Sequence, residues 1–78
     1  MTKWMTVKIG TLERAKKFVS KINQMDCEFD MVFGQTALDA KVMENLMGLD
    51  VQRTQRLNIY GNTMELQRAE LELAEFQA

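Results

Sequence analysis

Two hydrophobic periodicities alternate along the chain and predict its secondary structure. In residues 3–9 every second residue is apolar, which is the pattern of a strand with one buried face. The inward residues of this strand are Met5, Val7 and Ile9. Apolar residues then recur at spacings of three and four, as on one face of a helix. These residues are Leu12, Ala15, Phe18, Val19 and Ile22. Thr11 is the predicted N-cap, because its hydroxyl can accept a hydrogen bond from an unpaired backbone N–H group.

The middle of the chain repeats the strand pattern twice. Residues 27–33 and 36–40 alternate around a short Gly34-Gln35 turn, which predicts a β-hairpin. The predicted inward side chains of the hairpin are Cys27, Phe29, Met31, Phe33, Leu38 and Ala40. A short helical segment is predicted to follow at about residues 42–48.

The last third of the chain predicts one more strand and one more helix. Leu57 and Ile59 alternate with polar residues and mark a fourth strand. The segment Asn62-Thr-Met-Glu65 resembles a capping box, which predicts a helix start there. This helix is predicted to continue to about Phe76. Its predicted buried residues are Leu66, Ala69, Leu73 and Phe76.

The predicted element order is β-α-β-β-α-β-α, and residues 1–78 are predicted to form a single domain. The simplest way to bury all the apolar stripes is a four-stranded antiparallel sheet with three helices on one face. The predicted class is therefore α+β, an open-faced two-layer sandwich. Its open face would be polar and exposed to water. The predicted open-face residues are Trp4, Thr6, Lys8, Glu28, Asp30, Asp39, Arg56, Asn58 and Tyr60.

Composition excludes several classes of function. The 10 basic and 11 acidic residues give a net charge of -1 without a basic block, which argues against a dedicated nucleic-acid binder. The chain has no His and one Cys, so zinc fingers, haem-binding sequences, His-dependent triads and disulfide frameworks are excluded. No nucleophile–base pair can be assembled, so we expect no enzyme activity. We also expect no metal, because no convergent loop brings ligands together, and no cofactor.

The distribution of apolar residues bears on location. The longest apolar run is Met31-Val32-Phe33, far short of the roughly 20 residues of a membrane span or the roughly 7–15 of a signal sequence. The unpaired Cys27 fits a reducing compartment and is predicted to be a buried structural thiol. We therefore expect a cytoplasmic protein that does not bind membranes.

Several short segments, in this element order, resemble the HPr family, the histidine-containing phosphocarrier proteins of the sugar phosphotransferase system. Phe18-Val19 lies midway in the first helix, as in that family, and Phe33-Gly34-Gln35 resembles the family's hairpin. The segment 40–43 is similar to the family's lysine-serine-isoleucine start of the second helix. The apolar residues that follow it are Leu46, Met47 and Leu49. The resemblance covers nearly the whole chain and implies an HPr-like fold.

The departures from the family concern both of its phosphorylation sites. In HPr a histidine at the N-terminus of the first helix carries phosphate, where N–H groups and the helix dipole suit an anion. Aligned on Phe18, that histidine corresponds to Thr11, the family's nearby arginine to Glu13 and its proline to Arg14. A phosphothreonine ester is a poor donor for onward transfer, and the Glu13 carboxylate would repel phosphate. The family's regulatory serine corresponds to Val42, which has no hydroxyl group.

A protein partner is the remaining expectation, and three hypotheses stay open. The preferred one is an HPr-like interaction or regulatory module that cannot carry phosphate. The second is a phosphotransferase-system component that still engages the phosphotransfer machinery, competitively or with phosphate on Thr11. The third is a drifted or redesigned domain without activity. The suspected partner surface comprises Leu12, Met43, Leu46 and Met47. The alternative is that these methionines only fill gaps in the core.

Two features of the predicted open face also have alternative explanations. Glu28, Asp30 and Asp39 could cluster there, but a flat, hydrated face gives carboxylates no cleft in which to perform acid–base chemistry. Trp4 is large for this position. It could pack over Tyr60 or Arg56, or it could contact a partner.

Overall fold

A computed structural model describes residues 1–78 and shows an α+β fold. The strands are β1 (Thr2–Lys8), β2 (Glu28–Phe33), β3 (Thr36–Asp39) and β4 (Thr54–Tyr60). The helices are α1 (Leu12–Asn23), α2 (Met43–Met47) and α3 (Thr63–Glu72), and a 3-10 turn follows at Ala74–Phe76. The predictions of an α+β class, a four-stranded antiparallel sheet and three helices are confirmed.

The four strands form one antiparallel sheet in the order β1-β4-β2-β3. Asn58 in the centre lies opposite Trp4 on one side and Asp30 on the other. Strands β1 and β3 are the sheet edges. The chain end covers part of the β1 edge, where the Ala78 N–H donates to the Thr6 carbonyl oxygen at 2.9 Å. The C-terminal segment, residues 74–78, is thereby held close to the first strand.

One hydrophobic core lies between the inner face of the sheet and the helices. It comprises 18 buried residues, all of them apolar, so no buried polar side chain requires a partner. The largest are Phe18, Phe29, Phe76, Ile22, Met31, Leu46, Leu57, Ile59 and Leu73. On the other face of the sheet every side chain is exposed or half-exposed. This arrangement is compatible with an open-faced sandwich.

Local capping signals determine where the helices begin. The Thr11 hydroxyl oxygen accepts a hydrogen bond from the Arg14 backbone N–H at 3.1 Å, which confirms Thr11 as the N-cap of α1. Asn62 and Glu65 form the predicted capping box, with both reciprocal hydrogen bonds at 2.8 Å. Gly10 has a φ of 95°, a conformation that disfavours other residues, and it turns the chain from β1 into α1.

Three details of the sequence prediction differ from the structure. Phe33 was predicted to point inward but is exposed, because residues 33–37 at the end of the hairpin extend into solvent on both faces. Leu38 is only half-buried for the same reason. The last helix ends at Glu72 rather than near Phe76, and the 3-10 turn carries Phe76 into the core instead.

Candidate interaction surface

The start of α1 is the position where the family resemblance places a phosphoacceptor. Thr11 is exposed, and its hydroxyl oxygen is occupied as the helix cap. Glu13 in the first turn is exposed and forms no ion pair. A carboxylate here interacts favourably with the positive end of the helix dipole. It supplies the negative charge that a bound anion would otherwise bring to this helix end.

The Arg14 side chain folds back along the Ile9–Gly10 segment that leads into α1. Its Nε donates to the Ile9 carbonyl oxygen at 2.7 Å, and its Nη2 donates to the Glu75 carbonyl oxygen at 2.9 Å. The guanidinium carbon lies 4.8 Å from the centroid of the Phe76 ring. This guanidinium therefore attaches the C-terminal segment to α1 through Nη2 and the Phe76 ring, while its Nε bonds to the chain just before the helix.

Two lysines of α1 are also directed toward the C-terminal segment. Lys17 Nζ lies 3.1 Å from Glu75 Oε2, and Lys21 Nζ lies 3.0 Å from Glu75 Oε1. Lys16 is the only lysine of this helix that forms no ion pair. Glu75 thus neutralises two of the three lysines of α1, and the first turn of the helix itself carries a carboxylate at Glu13.

The Glu75 ion pairs predict a pH dependence of stability. Hydrogen bonds from Lys21 and then Lys17 hold the pKa of the Glu75 carboxyl below its usual value. Such a group stabilises the fold above its unfolded-state pKa, about 4.3, and this contribution is lost as pH falls through the lower folded-state pKa. We expect wild type to melt above Glu75→Gln at neutral pH, with a difference that shrinks under acid conditions. Thermal melts of both proteins from neutral to acid pH measure this, and a constant difference would contradict it.

The family resemblance places a regulatory serine at the start of α2. Val42 is the N-cap residue of α2, is exposed, and provides no side-chain hydrogen bond to the helix. Other side chains hold this turn. Asp39 Oδ1 accepts from the Lys41 backbone N–H at 2.9 Å, and Asn45 Nδ2 donates to the Asp39 carbonyl oxygen at 3.0 Å. The turn is therefore ordered without the hydroxyl group that phosphorylation requires.

Helices α1 and α2 pack against each other, and hydrogen bonds near both ends indicate that they run in opposite directions. At one end Asn23 Nδ2 donates to the Lys41 carbonyl oxygen at 3.1 Å, which joins the end of α1 to the start of α2. At the other end the Gly10 N–H donates to the Val51 carbonyl oxygen at 2.6 Å. The start of α1 consequently lies beside the end of α2, although the two are more than thirty positions apart in the printed sequence.

This packing leaves apolar side chains exposed along the two helices. Leu12 at the start of α1 is 49% exposed, Met47 at the end of α2 is 62% exposed, and Val42 is also exposed. We refer to Leu12, Val42 and Met47 as the α1–α2 surface. Isolated apolar side chains are common on protein surfaces, but three on two adjacent helices make a candidate contact area.

Two members of the predicted partner surface are placed differently. Leu46 is only 1% exposed and belongs to the core, because it lies on the side of α2 that packs against the rest of the protein. The prediction that it contributes to an exposed surface is wrong. Met43 is half-buried against the same core. In a helix of five residues, burial of one side leaves only Met47 fully available.

The other candidate chemical groups do not converge on a site. Asp30 and Asp39 lie opposite each other on the open face, with Glu28 two positions away, but no group of three or more His, Cys, Asp or Glu residues could hold a metal ion. Cys27 is buried, and burial, followed by the nearby Glu65 carboxylate, raises the pKa of its thiol. None of the helices has both the length and the apolar composition to cross a membrane.

The chain matches no protein-family model and no curated protein sequence. The main feature that sequence reasoning missed is the attachment of Glu75 to α1. Arg14 and Glu75 are 61 positions apart, and no local pattern connects them. The contact matters for the charges of α1, because the Glu75 carboxylate pairs with Lys17 and Lys21 and its carbonyl oxygen accepts from Arg14.

Proposed function

We propose that this protein is an HPr-like interaction module that does not carry phosphate and that binds a protein partner through the α1–α2 surface. The observation that supports this most directly is the exposure of Leu12 and Met47 at adjacent helix ends. The HPr-like assignment itself rests on the element order and on two positions, since Thr11 and Val42 are the N-caps of the first two helices.

The absence of phosphate transfer follows from the chemistry at the start of α1. A carrier must accept a phosphoryl group, stabilise its charge and release it again, and histidine does this well near neutral pH. The chain has no histidine. Thr11 would form a stable ester, Glu13 would repel it, and the Arg14 guanidinium that could neutralise it is bound to Glu75 and Phe76.

The partner is expected to contact the apolar side chains of the α1–α2 surface. Met is a flexible side chain that adapts to different contact shapes, and an exposed Met47 therefore suits an adaptable anchor. Candidate partners are proteins of the phosphotransferase system, because docking can persist after the phosphoacceptor has been lost. Such a protein would act by competition with a true carrier.

The phosphotransfer reaction itself tests the proposal. We incubate the protein with phosphoenolpyruvate and the general phosphotransferase enzyme, with a functional HPr as positive control, and record intact masses. We expect no mass increase on this protein. We also expect an excess of it to slow phosphorylation of the control HPr. The variant Met47→Asp should weaken this inhibition by at least about tenfold, as expected for a central contact residue.

A matched variant and the site of any modification make the result interpretable. Met64→Asp introduces the same charge at an exposed methionine of α3, so it should inhibit like wild type. Phosphate mapped to Thr11 would overturn the proposal and favour the phosphotransferase component with a hydroxyl acceptor. Inhibition that survives Met47→Asp would refute the proposed surface. No inhibition at all would exclude the phosphotransferase enzyme as the partner.

A further inference from the structure

The open face of the sheet carries charges of opposite sign in two separate areas. Lys8 and Arg56 lie on β1 and β4 near one corner of the face. Asp30 and Asp39 lie directly opposite each other on β2 and β3, and Glu28 is on the same side of the sheet. One corner is therefore basic and the opposite corner acidic. Like charges that face each other across strands destabilise a sheet unless something neutralises them.

The side chains of Arg56 and Asp30 have hydrogen-bonding atoms that form no hydrogen bond within the same chain. Arg56 Nε donates to Asn58 Oδ1 at 3.0 Å, and the guanidinium stacks over the Trp4 ring at 4.7 Å. Its terminal nitrogen atoms donate to no other group, and Asp30 has no ion pair or hydrogen bond through its side chain. Arg56 and Asp30 lie on adjacent strands but do not pair. Both are thus available to a molecule placed on this face.

Apolar side chains run diagonally between the two charged corners. Trp4 on β1 is 56% exposed, Val32 on β2 is half-exposed, and Ala37 opposite it on β3 is exposed. A two-fold axis along this diagonal would place the apolar residues of one copy on the same residues of another. The same rotation would place Arg56 of each copy over Asp30 of the other, and Lys8 over the area between Glu28 and Asp39.

We propose that the open face is a contact surface for a second copy of this chain, related by a two-fold axis along Trp4, Val32 and Ala37. In a two-fold interface each contact occurs in both directions. The symmetric dimer would therefore contain two ion pairs, each between Arg56 of one copy and Asp30 of the other. Charge complementarity therefore favours a second copy over a partner with a uniformly charged surface. This inference does not depend on the α1–α2 surface, which lies on the helical side of the protein.

The size of the face determines how strong the dimer can be. Four strands at ~4.8 Å spacing and about six residues long offer roughly 400 Å² per copy. Stable interfaces bury about 800 Å² per partner. The dimer is therefore weak and concentration-dependent. Since its specific contacts are charge pairs at the edge of an apolar strip, it should also weaken as salt concentration rises.

Charge-reversal variants test this geometry directly. Sedimentation equilibrium over a concentration series should show a monomer–dimer equilibrium for wild type. Arg56→Asp alone should weaken the dimer by at least about tenfold, because two like-charged pairs replace two opposite ones. Asp30→Arg alone should do the same. An equimolar mixture of the two variants should restore association, since each protein then supplies the charge that the other needs.

Fluorescence and fold controls separate the outcomes. Trp4 is the only tryptophan, so its emission should shift to longer wavelength as wild type is diluted and the ring becomes hydrated. Circular dichroism must show that both variants are folded, and Lys16→Glu on α1 serves as a charge-reversal control away from the face. A monomer at every concentration would overturn the proposal. So would a dimer that resists the single reversals, or variants whose mixture does not associate.

Discussion

Replacing Phe76 by alanine should lower the free energy of unfolding by about 3–5 kcal/mol. Phe76 is fully buried and lies edge-on to Phe18, with ring centroids 5.1 Å apart and an interplanar angle of 86°. The substitution removes a large apolar side chain, an aromatic pair and the surface on which the Arg14 guanidinium rests. A protein of 78 residues has roughly 4–12 kcal/mol of stability in total. The loss is therefore a large part of what is available.

Chemical denaturation of wild type and Phe76→Ala measures this effect. Leu71→Ala is the matched control, because Leu71 is an exposed apolar residue of the same C-terminal region and should change stability by less than about 0.5 kcal/mol. A second consequence is specific to the structure. Once Phe76 no longer anchors the 3-10 turn, Glu75→Gln should have a smaller effect in the Phe76→Ala background than in wild type. Equal denaturation midpoints for the two alanine variants would show that residues 74–76 are not docked on α1.

Substitution by aspartate should unfold the protein at Leu46 but leave it folded at the neighbouring residue Met47. Leu46→Asp places a charge in the core and should abolish cooperative folding, because an unpaired buried carboxylate costs several kcal/mol in addition to the lost apolar contacts. Met47→Asp should remain folded, with stability within about 1 kcal/mol of wild type. Both aspartates are near the end of α2, so their interaction with the helix dipole is similar and does not explain a difference.

Thermal melts followed by circular dichroism distinguish these outcomes. The pair also determines how the docking experiment is interpreted, since Met47→Asp can report on partner binding only if the variant is folded. A folded Leu46→Asp would mean that α2 does not pack its Leu46 side chain into the core. Leu46→Ala, expected to cost about 2–5 kcal/mol, provides a milder version of the test in which some folded protein remains.

The local features of the fold were predictable from the chain because their causes are local. Alternation at Met5 and Val7 and at Leu57 and Ile59 indicates strands with one buried face, and all four residues are buried. The cap at Thr11 and the capping box at Asn62 depend on hydrogen bonds between residues three positions apart. Such patterns need no knowledge of the remaining protein.

The errors arose where a side chain has apolar neighbours in sequence but its burial depends on distant elements. Phe33 continues the alternation of β2, but no helix covers the end of the hairpin. Leu46 was expected on a surface, although it is buried in the core. In a helix of five residues, the hydrophobic pattern is too short to define which side is buried.

The chain alone was enough to predict the α+β class and the caps of α1 and α3, and to exclude a histidine phosphoacceptor. These follow from residue types and short-range spacing. The contacts of Arg14, Lys17 and Lys21 with the C-terminal segment could be recognised only once the fold was known. The folded structure also shows which apolar residues of α2 are exposed, and that Arg56 and Asp30 form no ion pair on the open face. The physical reason is that the partners of a long side chain are brought near it only by folding. Those partners lie tens of residues away in the sequence, so no local pattern identifies them.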